Sequence, residues 1–186
     1  SIGTRPDSVD DDKLDLIGDI SKDYYTWIEY GLQTIHNKTL EKVNRGETFE
    51  TFLKSYEATK KRGINVCVHV ILGMWETHEE MMQTAQKLAE LGVDGIKIHM
   101  LCALENTKLA QMYANKEIDF MSEDEYINTV CDFLEYLPQN STIHRLAGNG
   151  LKKELIAPRW IGKKLDCLNK IDKELLRRNS YQGSKF

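Results

Sequence analysis

Four strings in this chain gather side chains that could do chemistry together. The first is Glu29-Tyr30-Gly31-Leu32-Gln33, followed by Asn44-Arg45-Gly46. An amide at a strand end and a guanidinium beyond it form a clamp for a carboxylate or hydroxyl, because Arg pairs oxyanions in a bidentate fork. The second places His69 near the end of an apolar run, with Gly73 after it to let backbone approach a ligand closely. The third is Lys97-Ile98-His99, where an inward Lys either pairs an anion or titrates low, and an ion pair with Asp94 or Glu29 is the plain alternative. The fourth, His144-Arg145-Leu146 before Gly148-Asn149-Gly150, reads as an anion-moulding loop or as an ordinary turn. Each string also has a bland reading: Gln33 as a loop amide, Arg45 as a surface residue, His69 as a satisfied core histidine.

Helical and strand periodicities place these strings. Phe49, Phe52, Leu53 and Tyr56 mark a helix over Thr48 to Arg62. Capping boxes, Thr77-x-x-Glu80 and Ser122-x-x-Glu125, open helices that run to Leu91 and Leu137. Leu165 to Arg178 makes a fourth helix and Asp10 to Ile20 a weaker one. Strands are expected at 26–33, 64–72 and 95–101, each rich in apolar or β-branched residues. Strands alternating with crossover helices imply parallel βαβ units, hence an α/β fold. Within each strand one parity is apolar and the other carries Glu29 and Gln33, Cys67 and His69, or Lys97 and His99. Such a sheet covers its apolar face with helices and offers a polar mouth at the strand ends. From Gln139 onward the pattern reads as an extension beyond the sheet, which divides the chain into 1–138 and 139–186.

Composition narrows the function classes. The 186 residues are 41% hydrophobic and 29% charged, with a formal charge of −4, which excludes a broadly basic nucleic-acid binder. No apolar run approaches the roughly 18 residues of a spanning helix. Cys67, Cys102, Cys131 and Cys167 are too widely spaced for a CxxC or CxxxCxxC site, and with no signal-peptide pattern they are expected as free thiols in a reducing, cytoplasmic setting. His69, His99 and His144 lack the spacing of zinc ligands, so no metal site is assigned to them. The opening Ser1-Ile2-Gly3-Thr4-Arg5-Pro6 reads as a strand end entering a turn, so the chain is expected to be part of a longer one.

Taken together, these strings resemble the radical S-adenosylmethionine superfamily, in the bacterial branch related to the elongator catalytic subunit. Ser1 to Asp7 is similar to that branch's fourth-strand signature. Glu29 to Thr34 with Asn44-Arg45-Gly46 resembles the fifth, and Val68 to Gly73 the sixth. Gly95-Ile96-Lys97-Ile98-His99, His144-Arg145-Leu146 and Ser180-Tyr181-Gln182-Gly183 resemble further markers of the branch. The resemblance implies the C-terminal half of a partial (β/α)6 TIM-like barrel with parallel strands, plus a C-terminal helical extension. It also implies an oxidoreductase-type enzyme using S-adenosylmethionine and a 4Fe-4S cluster, with a reductant such as flavodoxin or ferredoxin. By the same resemblance Gln33, Arg45, His69 and Gly73 bind S-adenosylmethionine, Lys97, His99, His144 and Arg145 face the substrate, and that substrate is a tRNA wobble uridine.

Three departures accompany it. The CxxxCxxC cluster motif does not occur, so this chain alone is expected to be inactive and to leave the cluster ligands elsewhere. The adenine-side turn reads Gly73-Met74-Trp75-Glu76-Thr77, one residue short and without proline, and Gly148-Asn149-Gly150 stands where Gly-Asp-Gly is usual. Rival readings are a small-molecule radical enzyme, a metal-free barrel enzyme using Lys97 and His99 as acid and base, and a binding module. The module would use the Lys and Arg residues at 159, 163, 164, 170, 173, 177, 178 and 185 to dock RNA or a partner, against the alternative of a solvated helix face.

Overall fold

The computed structural model describes residues 1–148 and 154–186. In chain order it runs β1 (Ile2–Thr4), α1 (Asp11–Ser21), β2 (Trp27–Gln33), α2 (Asn37–Lys42), α3 (Phe49–Lys61), β3 (Asn65–Leu72), α4 (His78–Leu91) and β4 (Gly95–Met100). There follow β5 (Ala103–Leu104), α5 (Lys108–Ala114), α6 (Glu123–Tyr136), β6 (Thr142–Arg145), β7 (Leu155–Ala157) and α7 (Lys164–Arg177). Both capping boxes form: Thr77 and Ser122 accept from the amides of Glu80 and Glu125, whose carboxylates return to the cap amides. Gly92 closes α4 at φ +64°, a left-handed turn that spares glycine the Cβ penalty.

Strands β1, β2, β3, β4 and β6 form one wholly parallel sheet in that order, while β5 and β7 pair antiparallel beside it. The architecture is α/β, as the strand and helix alternation predicts. The sheet, expected to be complete before Gln139, takes a fifth strand from the segment after it. Thr142–Arg145 escapes periodicity because it is four residues long with a single aliphatic side chain, Ile143; the extension proper begins beyond it.

Valine and isoleucine parity sets the outer face. Ile28, Val66, Val68, Ile96 and Ile98 have no exposed surface, and they pack with Phe52 of α3, Leu88 of α4 and Val130 and Phe133 of α6 into one core. Each such side chain contributes roughly 1.5–3 kcal/mol by leaving water. Tyr30, on the same face, spends its hydroxyl on Thr59 of α3 at 2.8 Å. The opposite face carries the ionisable residues.

Candidate functional site

Glu29 is the hub of the inner face, one-tenth exposed. Its carboxylate accepts from Lys97 Nζ and Ser1 Oγ, and from His69 Nε2 at 2.8 Å. Ser1 stands just before β1, while β3 and β4 deliver His69 and Lys97: His69 sits opposite Lys97 in the β3–β4 register, and Lys97 opposite Arg145 in β4–β6, so one row crosses the sheet as His69, Lys97, Arg145. Burial pushes the Glu29 carboxyl up, but the bonds from Lys97, Ser1 and His69 outweigh it and hold the group at about 2. Burial holds His69 below its ordinary value despite that carboxylate. His69 is therefore neutral near pH 7, and its donor to Glu29 is the Nε2–H tautomer. Lys97 is committed to an ion pair, the plainer of its two expected roles, and Cys67 of β3 is a buried thiol pushed up to about 12.

At the C-terminal end of β2 the backbone bulges. Tyr30 and Gln33 oppose Val68 and Val70, so three steps on β2 match two on β3. Gln33 takes φ +75° and folds its amide back over Gly31. A Cβ built on Gly31 would lie 2.8 Å from Gln33 Nε2 and 3.0 Å from Arg45 Nη2, so the missing side chain is the space the two groups share. Arg45 Nη2 donates to Gly31 O at 2.7 Å and lies 2.7 Å from Glu47 Oε1. Its Nε is buried without a partner, and the Glu47 carboxylate, whose pKa burial raises, is nearly closed to solvent. Gln33 and Arg45 are donors that could hold a carboxylate, and Glu47 already lies against one edge of the guanidinium. For the iron–sulfur cluster the fit fails: among the described residues no three His, Cys, Asp or Glu side chains gather around a metal position.

The remaining predicted site residues are dispersed. His69 turns to Glu29 and stacks obliquely on His99, ring centroids 5.3 Å apart. Gly73, at φ +86° after β3, faces Met121, whose Sδ would meet a Cβ there at 3.2 Å. His144 packs edge-on against Trp27, 4.5 Å between centroids, in the room left by Gly95, toward the opposite end of the strands from Gln33. His99 and Arg145 line a cavity of about 120 Å³ at the ends of β4 and β6. Burial, reinforced by His69 and Arg145, pushes His99 down to about 4. Asn149 and Gly150 lie outside the described residues. In the C-terminal segment Lys170 pairs with Glu123, Arg177 with Glu174, Arg178 with Asp132 and Lys185 with Glu135, so half of its expected basic face is spent internally. Sequence parity puts Glu29 on the inner face; what it leaves invisible is the register that brings Ser1, His69 and Lys97 to one carboxylate.

Two family descriptions match: "Radical SAM superfamily" over residues 1–107 and "Radical_SAM C-terminal domain" over residues 93–177. The uncharacterized protein YtqA of Bacillus subtilis is 40% identical over 187 residues, an alignment covering 100% of this chain and 58% of that protein. The tRNA uridine(34) acetyltransferase of Methanocaldococcus jannaschii is 29% identical over 142 residues, covering 74% of this chain and 26% of that protein. Among solved structures, Methanocaldococcus infernus Elp3 with an N-terminal deletion superposes with a TM-score of 0.81 at 21% identity, over 97% of this chain and 42% of that one. The chain thus spans less than two thirds of the length of these relatives.

Proposed function

The chain belongs to the radical SAM superfamily, and from that premise we propose that it holds the methionyl end of S-adenosylmethionine and faces the substrate in an enzyme that modifies a tRNA base. The observation that carries this reading is the shared space over Gly31, where Gln33 Nε2 and Arg45 Nη2 converge, with the Nε of the same guanidinium buried and unpartnered. The chemistry supplied there is hydrogen-atom abstraction, driven by one-electron reduction of the sulfonium. In this proposal a 4Fe-4S cluster would be held by the part of the relatives' length that this chain does not match, and a flavodoxin or ferredoxin would be its reductant.

The residues of this chain bind and orient. Arg45, held by Gly31 O and Glu47, presents its guanidinium to a carboxylate, and Gln33 adds an amide. Gly73 and the turn through Thr77 supply backbone on the adenine side. One row deeper, Glu29 fixes Lys97 and His69 so that a substrate meets a rigid, charge-balanced floor. The similarity to a protein named for tRNA uridine supports a nucleic-acid substrate. The net charge of −4 and the internal pairing of the C-terminal cations favour a small footprint, which keeps a small-molecule substrate as the second reading. Nucleoside mass spectrometry of tRNA from a strain lacking the gene tests the proposal. The expected result is one altered uridine nucleoside, restored by the wild-type gene and not by Arg45→Ala; an unchanged nucleoside profile rejects the tRNA substrate.

A further inference from the structure

The cavity at the ends of β4 and β6 is walled by Met100, Ala147, Trp160 and Ile161, and its polar functions reduce to two. Tyr126 spends its hydroxyl on Leu146 O at 2.7 Å, and Trp160 spends its indole N–H on Met121 O at 3.1 Å. Burial pushes the Cys102 and Cys167 thiols up, which keeps them protonated. Arg145 and His99 remain. Neither side chain makes a hydrogen bond or ion pair with another described residue, and His99 Nε2 is buried without a partner. The nearby carboxylate does not serve Arg145: Glu29 takes bonds from Lys97, Ser1 and His69, and no ion pair joins it to Arg145. Among the described residues one positive charge therefore stands unpaired beside a mostly apolar cavity.

We propose that this cavity is a substrate subsite for an oxyanion, a carboxylate or phosphate, with Arg145 as its cation and His99 as a neutral hydrogen-bond donor. It rests on the reading of the inner face as the substrate face and names the chemistry that face selects. A volume of about 120 Å³ limits the anchored group to about six heavy atoms, since a cavity of about 150 Å³ holds a benzene. A guanidinium and an N–H together match the geometry of two oxyanion oxygens, and the apolar wall covers the carbon or ester portion behind them.

The test follows the histidine ring signals of the protein by NMR during titration with inorganic phosphate and, separately, with butyrate. His99 is identified by the signal missing in His99→Gln. The expected result is a saturable shift of His99 with at least one probe, weakened tenfold or more in Arg145→Gln. A response to phosphate alone assigns a phosphoryl group, and a response to butyrate alone assigns a carboxylate. If Arg145→Gln does not fold, Arg145→Lys replaces it and is expected to bind at least threefold more weakly. No saturable response to either probe, or the same affinity in the Arg145 variant as in the wild type, overturns the proposal. S-adenosylmethionine affinity, measured by calorimetry on the same samples, separates the two readings: its loss with the anion response intact sinks the cofactor assignment and leaves the subsite standing.

Discussion

The two faces of the sheet are built from alternate residues of the same strands and have opposite chemistry. On the outer face Ile28, Val66, Val68 and Ile96 are sealed under helices, and the polar atom of Tyr30 there has its partner. On the inner face Glu29 collects three donors, while Arg45 Nε, His99 Nε2 and His144 Nε2 are buried without any. A buried polar group without a partner costs about 1–3 kcal/mol. Over the outer face Glu135 Oε2 lacks a hydrogen bond but has Lys185 beside it, whereas the inner-face donors are a set that a ligand can complete. The outer face specifies the structure; the inner face is shaped for something that binds.

That contrast can be broken by mutation. Phe52 is fully buried, stacked on Phe49 and Tyr56 with centroids 6.0 and 5.7 Å away. Phe52→Ala should lower the unfolding free energy by about 4 kcal/mol in urea. A loss under about 1.5 kcal/mol would mean that the helix layer is not what holds the sheet.

On the inner face the largest stability effect belongs to Glu29. Its folded pKa of about 2 lies below the ordinary 4.5, so its contribution is complete above pH 4.5 and disappears as pH falls toward 2. Glu29→Gln should cost about 3 kcal/mol at neutral pH and flatten the stability profile between those values. A variant whose acid limb matches the wild type would show that Lys97 and His69 do not hold this carboxylate.

Gly31→Ala sharpens the comparison because the faces should respond unequally. The new Cβ meets side-chain ends, Gln33 Nε2 and Arg45 Nη2, and no core atom, so stability should fall by no more than about 2 kcal/mol, as for a modest overpacking. Displacing both groups should nonetheless weaken S-adenosylmethionine binding about tenfold. Lost stability with unchanged affinity would make Gly31 an ordinary packing glycine.

Much of this arrangement is legible in the amino-acid sequence. The caps at Thr77 and Ser122, the three long strands and their two parities are local patterns, written within a few residues of one another. Strands β5, β6 and β7 are not, because two to four residues carry no period and these pair only once distant segments meet. The site divides in the same way. Gln33 and Arg45 stand near each other in sequence and were placed together. Gln33 reaches Arg45 through a bulge at Gly31 and Leu32 that strand alternation does not encode. The family resemblance puts His144 with the substrate residues, whereas the bulge between Ile96 and Lys97 in the β4–β6 pairing and the gap at Gly95 seat its ring against Trp27.

The central claim is that Arg45, held between Gly31 O and Glu47, receives the carboxylate of S-adenosylmethionine. Calorimetric titration of S-adenosylmethionine into the anaerobically reconstituted full-length gene product, wild type beside Arg45→Ala, measures this directly. Loss of a charge-assisted hydrogen bond predicts binding weaker by about 1.5–3 kcal/mol, roughly 10- to 150-fold, in a protein that also loses stability because Glu47 is left without its cation. Affinity equal to wild type in a folded Arg45→Ala protein would contradict it.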